Sequence, residues 1–296
     1  MLIARFTPPE KRRIILNVII CLICVVGSYW GYHCIRHEKW QSEEIHRLSI
    51  RAEKLEDDLD IQSQKIENLT KLLNELQDSE ISWLDKGINY LAIGNSITSH
   101  SLADYWWNDG VGMAASSEDK DYVHQISRYL EETYDESVKM YAYNFYTWEV
   151  QATDRAEVLQ LLDGYLSDKL DLITIQLSEN VHDTSTFEED CEELYRYVSQ
   201  KAPNAQIIVI DDFWDCGEKA LMKENAAQAC NVNFVSLENI KGKAEYQAGL
   251  GTIVYDKDGK EHIIEHEGVA SHPGDTGMTY IAEAVERIIN VSFLDN

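Results

Sequence analysis

The order of apolar and polar positions changes character three times along the chain. From Ile14 to Tyr32 nearly every residue is apolar, interrupted only by Asn17, Gly27, Ser28 and Gly31. That run is about 19 residues, enough to cross a bilayer as a helix, and a transmembrane helix is expected over 14–34. Between 41 and 83 apolar side chains recur at alternating spacings of three and four: Ile45, Leu48, Ala52, Leu55, Leu59, then polar Gln62, then Ile66, Leu69, Leu73 and Leu76. With charged residues on the flanks, this makes about five heptads of a coiled coil. A stalk that pairs copies of the chain, as a dimer or trimer, is expected over 41–83; the alternative is a single amphipathic helix lying on the following domain.

From residue 86 to 296 short apolar runs alternate with amphipathic stretches. Strands are predicted over 88–93, 138–143, 170–176, 206–210 and 233–237, and helices over 122–134, 152–166, 187–201, 218–229 and 276–290. Strands rich in β-branched residues that alternate with helices imply a parallel sheet covered on both faces. The turn residues Asp256-Lys257-Asp258-Gly259, flanked by 252–255 and 262–264, predict a small hairpin before the last helix.

Charge sharpens this picture. The net charge is −26 over 296 residues, and phosphate backbones are bound by basic faces, so nucleic acid is excluded as a partner. Arg5, Lys11, Arg12 and Arg13 cluster just before the apolar run. Residues 1–13 are therefore expected in the cytoplasm and the rest of the chain outside the cell membrane. A cleaved signal peptide ending near Val26-Gly27-Ser28 is the alternative. Downstream, Cys191, Cys216 and Cys230 have no zinc-type spacing; a Cys216–Cys230 bridge stays open.

The candidate chemistry sits where apolar runs break off. The run Ile88 to Ile93 ends in Gly94-Asn95-Ser96, which delivers a serine to the C-terminal edge of a strand, where open α/β sheets form their ligand crevices. A serine hydroxyl needs a base to take its proton, and His272, in the loop Ser271-His272-Pro273-Gly274 before the last helix, is the candidate. A second strand breaks off in Ser178-Glu179-Asn180, where the Asn180 amide offers an N–H to an oxyanion. Asp109-Gly110-Val111-Gly112 allows backbone N–H groups to approach a substrate closely. His100 and His182 follow strand ends and are candidates for the cleft. Of the aromatic residues near these stretches, Trp106, Trp107, Phe145, Tyr146, Trp148 and Trp214, each either fills the core or lines the cleft.

Together these stretches resemble the SGNH (GDSL-type) hydrolases, over about residues 86–296. The resemblance implies a flavodoxin-like three-layer α/β/α sandwich. It also implies Ser96 as nucleophile, His272 as base, Gly112 (or Gly110) and Asn180 as oxyanion donors, and no metal or cofactor. Two positions depart from the family pattern. Ser178 stands where the third block begins with glycine, and Val269 stands where the acid precedes the histidine by three residues. The group that orients His272 is then a backbone carbonyl, or a carboxylate from elsewhere: Glu267, Asp275 or Asp211. The resemblance and the expected surface location point to a membrane-anchored serine esterase that removes O-acyl groups, acetyl among them, from carbohydrate. An O-acyltransferase using the same site, and a non-catalytic surface scaffold, are the alternatives.

Overall fold

The computed structural model describes residues 17–32, 36, 37, 40, 47, 48, 51, 81–151 and 154–289. The chain divides into two units, 1–77 and 78–296. In the first unit, residues 17–32 are helical and exposed. The predicted membrane span extends past this helix at both ends, outside the described residues. Among the described residues no helix is long and apolar enough to cross a membrane. Nearly all of the predicted coiled coil also lies outside them.

The end of that predicted coil is corrected. Residues 81–84 are irregular, not helical. Trp83 is buried, packed in the core, and its indole Nε1 donates to the Tyr165 carbonyl at 3.0 Å. The domain therefore begins before residue 86, because Trp83 belongs to its core.

The second unit is a parallel sheet with helices on both faces. Its strands are β1 (Ile88–Gly94), β2 (Val138–Asn144), β3 (Leu172–Gln176), β4 (Gln206–Ile210) and β5 (Asn233–Val235), in spatial order β2-β1-β3-β4-β5. All four pairings are parallel. This order is that of a flavodoxin-like doubly wound sheet. The inner strand β1 is buried at every position, as expected of a strand covered on both sides.

The alternation of β1 divides the core into two layers. Ile88, Tyr90 and Ala92 face one side, where they meet α1 (Tyr122–Tyr134) through Val123, Ile126 and Leu130. Leu91 and Ile93 face the other, where they meet α3 (Phe187–Lys201) through Cys191, Leu194 and Val198. Asp121 caps α1 by accepting the His124 N–H at 2.8 Å, satisfying one of the orphan donors at a helix start. The helix ends at Asp135, which adopts a left-handed conformation.

The remaining elements are α2 (Tyr146–Val150), α4 (Lys219–Ala229), α5 (Glu267–Ala270) and α6 (Asp275–Glu286). The hairpin is present as β6 (Ile253–Tyr255) against β7 (Glu261–Ile263), antiparallel as expected.

In place of the α-helix predicted over 152–166 the chain forms a 3-10 run, Arg155–Leu162. Leu159 and Leu162 are its buried leucines. They are three residues apart and so share one side of a helix with three residues per turn. The buried Arg155 ties the run down through Trp148 O at 3.2 Å and Asp190 Oδ2 at 2.5 Å. Cys216 and Cys230 carry free thiols, so no bridge joins them.

Candidate active site

Strand register sets the site. Gly94 at the end of β1 pairs with Asn144 of β2 and with Gln176 of β3. Two residues further along each chain, Ser96, Tyr146 and Ser178 leave the sheet from one edge. β1 lies between β2 and β3, where the winding of the sheet reverses, and such a point opens a crevice beyond the strand ends. A cavity of about 610 Å³ lies there, lined by Ser96, Met113, Asn144, Asn180, Val269 and His272, with Tyr105, Tyr146 and His266 among its other walls.

Gly94 is demanded by close approach. A Cβ on it would lie 1.8 Å from Thr98 Oγ1 and 2.8 Å from the Gln176 carbonyl. Thr98 has no room to yield, because it is fully buried and hydrogen-bonded to the Tyr122 hydroxyl at 2.7 Å. The turn that follows is held by Asn95, whose carbonyl accepts the N–H groups of Thr98 and Ser99, each at 3.0 Å. Its side-chain oxygen accepts Ile97 N–H at 3.0 Å. This turn presents Ser96, half-buried, to the cavity.

Ser96 Oγ lies 2.8 Å from His272 Nε2. His272 Nδ1 lies 2.6 Å from the Gly268 carbonyl. A carbonyl only accepts, so Nδ1 carries the hydrogen, and neutral His272 turns the lone pair of Nε2 toward the serine. The Gly268 carbonyl is available because α5 ends at Ala270 and leaves its last carbonyls without helical partners. The Trp214 and His272 rings meet nearly perpendicular with centroids 5.0 Å apart, and the Trp214 indole N–H donates to Ser271 O. Burial pushes the His272 pKa down to about 4. The Gly268 hydrogen bond opposes that fall, and the nearby His100 and His266 add to it.

Of the orienters left open by the sequence, the backbone carbonyl is the one in place, and none of the three carboxylates reaches the ring. Asp275 accepts from Ser116 N at 2.8 Å and Ser116 Oγ at 2.7 Å, which fastens the start of α6 to another loop. Asp211 accepts from Leu237 N at 3.0 Å and pairs with Lys241 at 2.8 Å. Glu267 is exposed at the start of α5.

The glycine donors are corrected as well. Gly112 N–H donates to Asp121 Oδ2 at 3.1 Å, and Gly110 N–H to the His100 carbonyl at 3.0 Å, so both are already used. Gly112 is glycine for packing: a Cβ would lie 2.4 Å from the Ile97 carbonyl. Asn180 does line the cavity. One of its two amide hydrogens goes to Glu149 Oε2 at 2.7 Å, leaving the other. The Ser96 N–H has no protein acceptor among the described residues.

Ser178, at the departure from the glycine pattern, has φ = 130°, a conformation that favours glycine. Its hydroxyl donates to buried Asp212, which pairs with buried Lys223 at 3.1 Å. Lys219 Nζ holds the Ser178 carbonyl at 2.5 Å. The strained residue is thus fixed from both its side chain and its backbone.

Of the residues expected near the cleft, His100 and Tyr146 line the cavity, whereas Trp106, Phe145 and Trp148 are core and His182 is exposed. Tyr105, His266, Asn144 and the buried Glu149 were not singled out by the sequence. The signal for Glu149 was a carboxylate set among aromatic residues just after a strand. Tyr105 and His266 stack with centroids 5.0 Å apart. Among the described residues no group of histidine, cysteine, aspartate and glutamate side chains is arranged to hold a metal.

No protein-family model matches the chain, and no curated relative does. Among solved structures it is similar to a two-domain esterase active on acetylated mannans (20% identity, TM-score 0.44), covering 77% of this chain and 52% of that one. The chain thus spans about half the length of that esterase. It is similar to an acetyl xylan esterase from Geobacillus stearothermophilus (16% identity, TM-score 0.43), covering 69% and 95%. It is also similar to a phospholipase A1 from Streptomyces albidoflavus (13% identity, TM-score 0.41), covering 68% and 99%.

Proposed function

We propose that the domain is a serine ester hydrolase of the SGNH type that removes O-acyl groups, acetyl among them, from carbohydrate. The observation that carries the reading is the Ser96 Oγ–His272 Nε2 hydrogen bond of 2.8 Å at the wall of an open cavity, with the far ring nitrogen held by Gly268 O. In this reading Nε2 takes the Ser96 proton as Oγ attacks the ester carbonyl. The charge that develops on the carbonyl oxygen is met by the Ser96 N–H and the unused Asn180 amide hydrogen. His272 then gives the proton to the leaving alkoxide. Water, activated by the same nitrogen, releases the acyl group from Ser96.

The walls support a neutral, hydroxyl-bearing substrate. The lining side chains are Ser, Thr, Asn, Tyr, His, Met and Val, with no Asp, Glu, Lys or Arg. The Tyr105–His266 stack and Tyr146 offer faces and polar edges of the kind that suit a sugar ring. The N-terminal sequence supports an anchored protein that carries this domain outside the membrane, paired by the stalk. Membrane fractionation and accessibility to added protease test that placement.

The activity test is hydrolysis of p-nitrophenyl acetate by the full chain, with Ser96→Ala and His272→Ala beside it, followed by acetate release from acetylated glycans. Turnover lost in both variants is the expected result. A wild-type protein that neither turns over nor reacts with a phosphonate probe refutes the reading.

A further inference from the structure

The site contains a buried carboxylate that the reaction above does not use. Glu149 lies in α2, 1% exposed. Its Oε1 accepts Asn95 Nδ2 at 3.1 Å, Ser178 N–H at 2.6 Å and Asn180 N–H at 3.4 Å. Its Oε2 accepts a single donor, Asn180 Nδ2 at 2.7 Å. One side chain therefore joins the residue before the nucleophile to both the backbone and the side chain of the residue offered to the oxyanion. Among the described residues it forms no ion pair with a lysine, arginine or histidine, and its hydrogen-bond partners are four N–H donors.

We propose that Glu149 is the positioning residue of the oxyanion site: its carboxylate holds one Asn180 Nδ2 hydrogen, so that the other is left for the cavity, and ties that amide to the turn carrying Ser96. This rests on the esterase reading of the site and extends it to a residue outside the reacting set.

The geometry supplies the reason. A terminal amide left to itself turns about its last torsion and presents either its oxygen or its NH2. An acceptor-only group on one side forces the NH2 toward that group. The second hydrogen on the same nitrogen then points away from Glu149, and Asn180 is at the cavity wall. If the amide turned over, its oxygen would face Glu149 Oε2, and two oxygens that accept would meet inside the protein. Asn95 is held by two carboxylates at once, since its Nδ2 also donates to Glu179 Oε2 at 2.7 Å.

The same geometry designs the test. In Glu149→Gln the side-chain oxygen keeps the place that serves three donors, and the new NH2 group falls on the place of Oε2. There it meets Asn180 Nδ2, donor against donor. The substitution leaves three of the four hydrogen bonds and strikes the Asn180 side chain.

The experiment measures kcat and KM for p-nitrophenyl acetate in the wild type, Glu149→Gln, Asn180→Ala and the double variant, with thermal unfolding of each. The expected result is a kcat lower by about 100-fold in Glu149→Gln with KM within about twofold, in line with the loss of one oxyanion donor. In the double variant kcat falls no more than about threefold below Asn180→Ala alone, because the two residues act as one unit. A Glu149→Gln enzyme within about threefold of wild-type kcat overturns the proposal, and so do losses that multiply in the double variant. If Glu149→Gln does not fold, Glu149→Asp is measured in the same way; it keeps the carboxyl group but draws it back by one methylene. Lowered kcat at constant KM supports the proposal, and full kcat overturns it. Turnover by the wild type that does not depend on Ser96 overturns the esterase reading and this inference together. Ser96-dependent turnover with an indifferent Glu149 overturns only the inference.

Discussion

The orientation of His272 by a carbonyl rather than a carboxylate has a measurable consequence in acid. A carboxylate behind the ring would favour the protonated imidazolium; the Gly268 carbonyl carries no full charge, and burial together with two neighbouring histidines favours the neutral ring. The result is a base pushed down from the ordinary 6.5 to about 4. Only neutral His272 accepts the Ser96 proton, so activity should hold while pH falls and be lost as pH passes through about 4. The size of the effect follows from the protonation equilibrium. At about pH 5.5 a histidine with the ordinary pKa is about 10% neutral, whereas one at about 4 is about 97% neutral, a difference of about tenfold in usable base. The assay is kcat/KM for acetate release from a neutral acetyl ester, followed in a pH-stat from about pH 3.5 to 8. Glu179 is a second group to separate. Burial, with the adjacent Asp212 carboxylate, pushes it up to about 7, and it holds Asn95 beside Ser96. Glu179→Gln distinguishes the two. An acid limb near 7 that vanishes in this variant belongs to Glu179. A limb near 6.5 that survives it refutes the reasoning about His272.

Two further predictions concern the fold that carries the site. Gly94→Ala should destabilise the domain by about 1–3 kcal/mol or more, the cost of forcing atoms into a packed core, because the new Cβ lands 1.8 Å from Thr98 Oγ1; an unchanged urea midpoint would contradict it. Trp83→Ala should cost about 3–5 kcal/mol as a large buried ring is removed, and a midpoint equal to that of the wild type would place residue 83 outside the folded domain.

Much of the architecture could be read from one dimension. Apolar runs broken by polar residues located all five strands of the sheet, and the bounds of α1 and α3 follow directly from their amphipathic spacing. Periodicity succeeds there because each element buries a continuous face against the sheet. It failed over 152–166, where a 3-10 run buries only Leu159 and Leu162 beside Arg155 and is held by that arginine, whose partners Trp148 and Asp190 lie outside the run. It also missed Trp83, which follows a heptad pattern without belonging to it.

The sequence by itself picked out three residues that meet at the cavity: a serine after a buried strand, a histidine before the last helix and an asparagine after a second strand. Side-chain chemistry is local, and strand ends can be seen as breaks in hydrophobicity. Tertiary structure alone decided how those groups are served. The orienter of His272 is a main-chain carbonyl, a group that every residue possesses and that no motif distinguishes. The N–H of Gly112 is spent on Asp121, which depends on where a helix cap falls in space. Glu149 reaches Asn95, Ser178 and Asn180 only because β1, β2 and β3 end in register at one edge of the sheet. Hydrogen-bond partners are set by distance and direction after folding, and a linear sequence records neither.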